Sequence, residues 1–259
     1  MLITYGDFMK TEKNKLYERG YIDSDLLSKY VGYTEKELLN LLKSSFAYER
    51  SVAVHLLAVK PNSVELYTEK ILKLLEKERK LYTKLEIMHF LEKGNEQTVK
   101  WMIPYLEKIG KNQYKEVPNR PSYKMSYPLP RDIIARILAN MDPELLPLLL
   151  QVLKTGDITQ KREIIDAIGF MIFYHPQTAT KENLILILDF FGNNKDDLLK
   201  WKLLILLSSF PFEETIYFLE KFLKQTKVKI EYETASRSLF IIEKRRNKFE
   251  RDTKKISNA

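Results

Sequence analysis

Arg50, Lys84, Arg131, Arg162, Lys200 and Glu233 each head the same pattern, in which small or apolar residues follow three, six and seven places on. From Arg50 these are Ala53, Leu56 and Leu57, and from Lys84 they are Ile87, Phe90 and Leu91. Arg131 gives Ile134, Ile137 and Leu138, Arg162 gives Ile165, Ile168 and Gly169, Lys200 gives Leu203, Leu206 and Leu207, and Glu233 gives Ser236, Leu239 and Phe240. If the pattern recurs on helices stacked side by side, the five cations align into a column able to hold phosphates or carboxylates. The same cations can instead bond turn carbonyls and the acids of neighbouring units. Arg136, Lys161, Lys202 and Arg237 lie beside the column and are expected to be exposed and freer to meet a partner.

A second constellation sits in residues 111–130, KNQYKEVPNRPSYKMSYPLP, which hold four of the ten prolines and show no helical period. Lys111, Lys115, Arg120 and Lys124 face a single acid, Glu116, and alternate with Tyr114, Tyr123 and Tyr127. Cations interleaved with aromatic rings can grip a phosphate backbone while stacking on bases. Alternatively, the tyrosines pack the loop onto the flank of the fold. Catalytic groupings are sparse. His55, His89 and His175 fall on three different helices of the pattern, so no shared metal site or histidine dyad is expected, and neither a phosphate-binding glycine loop nor a nucleophile elbow occurs. No cofactor or metal ion is expected.

The offsets of three, six and seven mark one face of an α-helix. The starting positions lie 34, 47, 31, 38 and 33 residues apart, the spacing of paired-helix solenoids with one insertion. Only 8 glycines in 259 residues, with Leu, Lys, Glu and Ile filling the periodic segments, point to an all-α superhelix of about six helix pairs. Residues 1–33 fall outside the frame and are expected to form a helical N-terminal cap, in which Tyr5, Tyr17, Tyr21, Tyr30 and Tyr33 pack on the first repeat. Residues 34–244 form the solenoid, opened by the capping-box sequence Thr34–Glu37. Residues 111–130 interrupt one unit between its two helices, and residues 245–259 either prolong the last helix or form a basic tail.

The net charge of +8 and pI near 9.2 favour an anionic partner, although 35 acidic residues are mixed among the 43 basic ones. With no cysteine, the chain suits a reducing cytoplasm and has no thiolate chemistry. The start of the chain lacks the apolar run of a secretory signal. The most apolar stretch, Leu198 to Phe212, is broken by Lys200 and Lys202 and falls short of the roughly 20 residues a membrane span needs.

The segments LLNLLKSSFAYERSVAVHLLA and LLPLLLQVLKTGDITQKREIIDAIG resemble units of the HEAT-repeat family: a leucine-rich first helix, a polar turn, then an arginine and spaced apolar residues on the second. Asp157 and Asp196 match the turn aspartate of that pattern, whereas Ser44 and Ser45 depart from it. The resemblance implies a non-enzymatic scaffold that binds protein or nucleic acid along a concave face lined by second helices, with an anionic partner surface favoured. The expected contacts are Arg50, Lys84, Arg131, Arg136, Lys161, Arg162, Lys200, Lys202, Arg120, Lys124, Tyr123 and Tyr127. Some alkylpurine DNA glycosylases are also built of HEAT-like repeats, which leaves an alternative in which an aromatic pocket with one acid acts on alkylated bases. Its candidates are Trp201, Trp101, Tyr174 and Asp132 or Asp166, with both tryptophans expected in the core otherwise.

Overall fold

The structure is a computed structural model that describes residues 13–257, with side chains through residue 247. The first twelve residues of the expected cap, Tyr5 among them, lie outside the described residues, as do the side chains of the tail from residue 248. Helices and irregular segments make up all the described chain, with no strand. The chain divides into two units at Met102 and Ile103, inside what the sequence pattern treats as the first helix of the third repeat.

In the first unit, residues 13–18 form α1, followed by α2 (Ser24–Ser28), α3 (Glu35–Leu41), α4 (Ala47–Leu57), α5 (Ser63–Lys77), α6 (Leu81–Glu92) and α7 (Glu96–Met102). The first helices α5 and α7 pack together, as do the second helices α4 and α6, which is the stacking of an α-solenoid. Thr34 caps α3 as expected: its hydroxyl accepts from the Glu37 N–H, and the Glu37 carboxylate accepts from the Thr34 N–H at 2.7 Å. Tyr17 and Tyr21 pack their rings on Tyr48 of α4 and Tyr82 of α6. Between these two tyrosines the chain passes Gly20, at φ +88°, where a Cβ would lie 2.2 Å from the Thr83 Oγ1.

The second unit contains α8 (Ile133–Ala139), α9 (Leu146–Thr155), α10 (Ile158–Tyr174), α11 (Lys181–Asn193), α12 (Asp197–Leu206), α13 (Glu213–Gln225) and α14 (Lys229–Ser257). The second helices α8, α10, α12 and α14 lie side by side in that order. Side-chain oxygens of Asp132, Asp157, Thr180 and Asp196 accept from the first-turn N–H groups of α8, α10, α11 and α12, and each such cap contributes about 1 kcal/mol.

Apart from the half-buried Leu56, the apolar frame is buried as its spacing predicts in α4, α6, α8 and α10 and from α12 into the turn after it, with Leu57, Leu91, Leu138, Ile168 and Leu207 fully covered. It fails in the last unit. Of the residues counted from Glu233, Phe240 is 56% exposed, and the buried set is Ala235, Ser238, Ile241 and Ile242, which places the true frame two residues later. The cue was misleading because Ser238 is polar: its hydroxyl is satisfied by the Leu204 carbonyl at 2.7 Å, so a position that reads as surface is buried.

The cationic column is largely neutralised from within. Arg50 forks onto Glu78 at 2.8 and 3.0 Å and donates to the carbonyls of Ser44 and Ser45. Arg162 reaches Asp196 at 3.1 Å, and Lys200 reaches Glu231 at 2.8 Å. Each cation thus ties its second helix to an acid at the start of the next. Burial alone would raise the Glu78 carboxyl, but the Arg50 guanidinium and the N–H groups of Lys80 and Arg79 hold it below its ordinary 4.5. The stability this contributes is present above pH 4.5 and lost as pH falls below it. Replacing Arg50 by Ala strands the nearly buried Glu78 carboxylate, so Arg50→Ala is expected to destabilise the first unit by about 3 kcal/mol in urea unfolding near neutral pH. A cost near zero would show that the pair is solvated.

Candidate functional site

Residues 111–130 lie across the second helices of the second unit. Among the described residues, 109–131 make no backbone–backbone hydrogen bond, so the loop is held through side chains. At its start the Gln113 amide donates to the buried Asp132 at 2.8 Å, and the Tyr114 ring meets Trp201 edge-on at 5.0 Å. At its end Arg237 of α14 donates to the carbonyls of Lys124, at 2.6 Å, and Ser126, at 3.0 Å. Between these carbonyls and Pro128, the buried Tyr127 ring contacts Phe173 and Phe170 of α10. A Cβ on Gly169 would lie 1.8 Å from the Tyr127 hydroxyl. This explains the glycine: the frame carries leucine at the same place in Leu57, Leu91, Leu138 and Leu207, and only a residue without a side chain leaves room for the loop tyrosine.

Loop and helices line a partly open cavity of about 600 Å³. Its walls are aromatic, from Tyr114, Phe170, Tyr174 and Trp201; Arg120, Lys124 and Arg131 stand on the loop side, and Asp166 is its acid. Arg131 stacks 4.3 Å over Tyr114, and none of these three cations has an ion-pair partner among the described residues. Tyr123, 81% exposed, stands clear of the fold.

Beside the cavity lies a buried charge cluster. Lys202, 1% exposed, donates to the Arg162 carbonyl at 2.5 Å and to Glu163 at 3.1 Å, and its ammonium pairs with Asp166 at 2.9 Å. Burial would lower the Lys202 ammonium, but the two carboxylates raise it overall. Burial raises Asp166 against the pull of Lys202 and pushes Glu163 up to about 7. Glu163 Oε2 and the Tyr127 hydroxyl are buried without a hydrogen-bond partner.

Several expected contacts are therefore placed differently. Lys202, expected at the surface, is buried, because two residues beyond Lys200 is about 200° around a helix, which turns one lysine outward and the other inward. Tyr127 is an anchor and not a stacking platform, and Arg237 is committed to the loop carbonyls. Arg131 does not head its helix: α8 begins only at Ile133, so Arg131 precedes the Asp132 cap and rests on Tyr114. Arg136 donates to the Pro130 carbonyl at 3.0 Å, Lys161 lies over the Phe190 ring, and Lys84 makes no ion pair among the described residues. Trp201 is in the core, its indole N–H donating to Thr234, whereas Trp101 is 39% exposed. Asp132 is spent as a cap, while Asp166 does share the cavity with Trp201 and Tyr174. The cluster of Glu163, Asp166 and Lys202 went unread because a search for apolar periodicity passes over polar residues on the buried face. No helix among the described residues is long and apolar enough to cross a membrane, and no group of acids and histidines among them is arranged for a metal.

No family model matches the chain, and no curated protein does. Among solved structures, the chain is similar to a designed armadillo repeat protein, YIII(Dq)4CqI, at 11% identity over 81% of this chain and 100% of that one, with a TM-score of 0.33. It is also similar to two engineered proteins of the Northeast Structural Genomics Consortium. One shares 16% identity over 81% of this chain and 96% of its own, at a TM-score of 0.33. The other shares 15% over 92% of this chain and 65% of its own, at 0.36.

The raised Glu163 carboxyl sets a pH signature. Unfolded, it ionises at its ordinary 4.5; folded, it keeps its proton to about 7. Its contribution to stability is full below 4.5 and is lost as pH rises through about 7. Glu163→Gln is therefore expected to gain stability relative to the parent between about pH 5 and about pH 8 in urea titrations. Parallel pH profiles for the two would mean that Glu163 is ionised throughout.

Proposed function

We propose that the chain is a non-enzymatic, HEAT-like scaffold that binds an anionic macromolecular surface through the loop-bearing face of its second unit. The observation that carries this is the set of three cations without ion-pair partners among the described residues, Arg120, Lys124 and Arg131, gathered at one aromatic-walled cavity, with Tyr123 projecting beside them. Elsewhere the second-helix cations Arg50, Arg162 and Lys200 are already paired with acids of the fold. Contacts of this kind lose affinity with salt, in proportion to the number of phosphates neutralised when the partner is nucleic acid.

Replacing Arg120 and Lys124 by Glu is expected to weaken binding of a single-stranded oligonucleotide, or of an acidic protein, by about tenfold or more at low salt. A steep linear fall of log affinity with log salt marks the nucleic acid, and a shallow one the protein. Binding that ignores both the charge reversal and the salt would exclude this face.

A second reading, a DNA glycosylase acting on alkylated bases, is kept by one observation: Asp166 lines the same cavity as Trp201 and Tyr174. It requires release of a damaged base from alkylated DNA that Asp166→Asn abolishes. Absence of release by the parent chain ends it.

A further inference from the structure

The loop sits on α10 and α14 as a bound peptide sits in a groove. Arg237 grips two carbonyls two residues apart, those of Lys124 and Ser126, and the next side chain, Tyr127, enters a slot that exists only because residue 169 is glycine. Pro128 keeps Tyr127 out of helical conformation, so the gripped segment is open and presents its backbone. The hold is imperfect. Among the described residues the loop adds no backbone–backbone hydrogen bond, and the Tyr127 hydroxyl and Arg237 Nη1 are buried without partners. Unpaired buried polar atoms favour exchange for a segment that satisfies them.

We infer that the Gly169 slot and the Arg237 fork form a recognition site for an open, proline-flanked peptide segment with an aromatic anchor, occupied in this chain by its own residues 124–128. Such a partner offers two carbonyls to Arg237, places a tyrosine or phenylalanine against Gly169, and lifts the chain's own loop away. Recognition is by side chains on rigid helices, so specificity lies in the anchor and its spacing from the carbonyls. The site goes beyond the anionic contact proposed above, which uses the outward cations of the loop, and the two fail independently.

The test uses a synthetic peptide covering Pro118 to Pro130, labelled with fluorescein and titrated into the full chain by anisotropy. Tyr127→Ala, which empties the slot, is expected to bind it at least about tenfold more tightly than the parent, because the competing internal anchor is gone. Adding Gly169→Val to that variant should abolish the gain, and Arg237→Lys, which cannot fork, should reduce it. Equal affinity for the parent and Tyr127→Ala overturns the proposal, as does tight binding to the Gly169→Val form. A second measurement needs no variant: the same peptide with 4-azidophenylalanine in place of its anchor tyrosine, irradiated with the parent chain, is expected to label α10 around Gly169 and Phe170. Labelling elsewhere, or none, overturns the site.

Discussion

Second helices packed side by side bury their facing flanks, and the rest of each unit follows from that constraint. A residue on a flank is best apolar, small, or a polar group whose bonds the neighbouring helix completes, and Glu163 Oε2, left without a partner, is an exception. Leucine and isoleucine satisfy it at most frame positions. Ser238 does so by donating to Leu204, and Lys202 by meeting Glu163, Asp166 and a carbonyl together. The paired cations at the helix starts are the same solution at the edge, where an arginine or lysine of one helix neutralises an acid at the start of the next.

Gly169 shows what happens when the constraint is relaxed at one point. A leucine there would continue the frame and leave no room for Tyr127; the glycine admits a ring from another part of the chain, so one missing side chain makes room for the insertion's anchor. The loop then converts a flank that would have been plain helix surface into a cavity with aromatic walls, cations on one side and a carboxylate held by a buried lysine on the other.

The architecture was legible because helix ends and apolar offsets are local: Thr34, Asp157 and Asp196 cap the helices that their sequences announce. The insertion was legible from its prolines. Its docking was not, since nothing near Tyr127 in sequence names Gly169 or Arg237, which lie 42 and 110 positions further on. Lys202 and Trp101 were misplaced for a related reason. Which way a single side chain faces depends on the exact helical phase, and an error of one or two residues turns it from solvent to core.

The loop's lack of backbone pairing carries an implication for how this chain can change over time. A segment that supplies no rung to any helix can be lengthened, shortened or rewritten without disturbing the helices it lies on, provided the Gln113 and Tyr114 contacts, the anchor tyrosine and the two gripped carbonyls are kept in step. The helices then act as a fixed socket and residues 111–130 as an exchangeable cassette, so new surface chemistry can be grafted onto an unchanged frame.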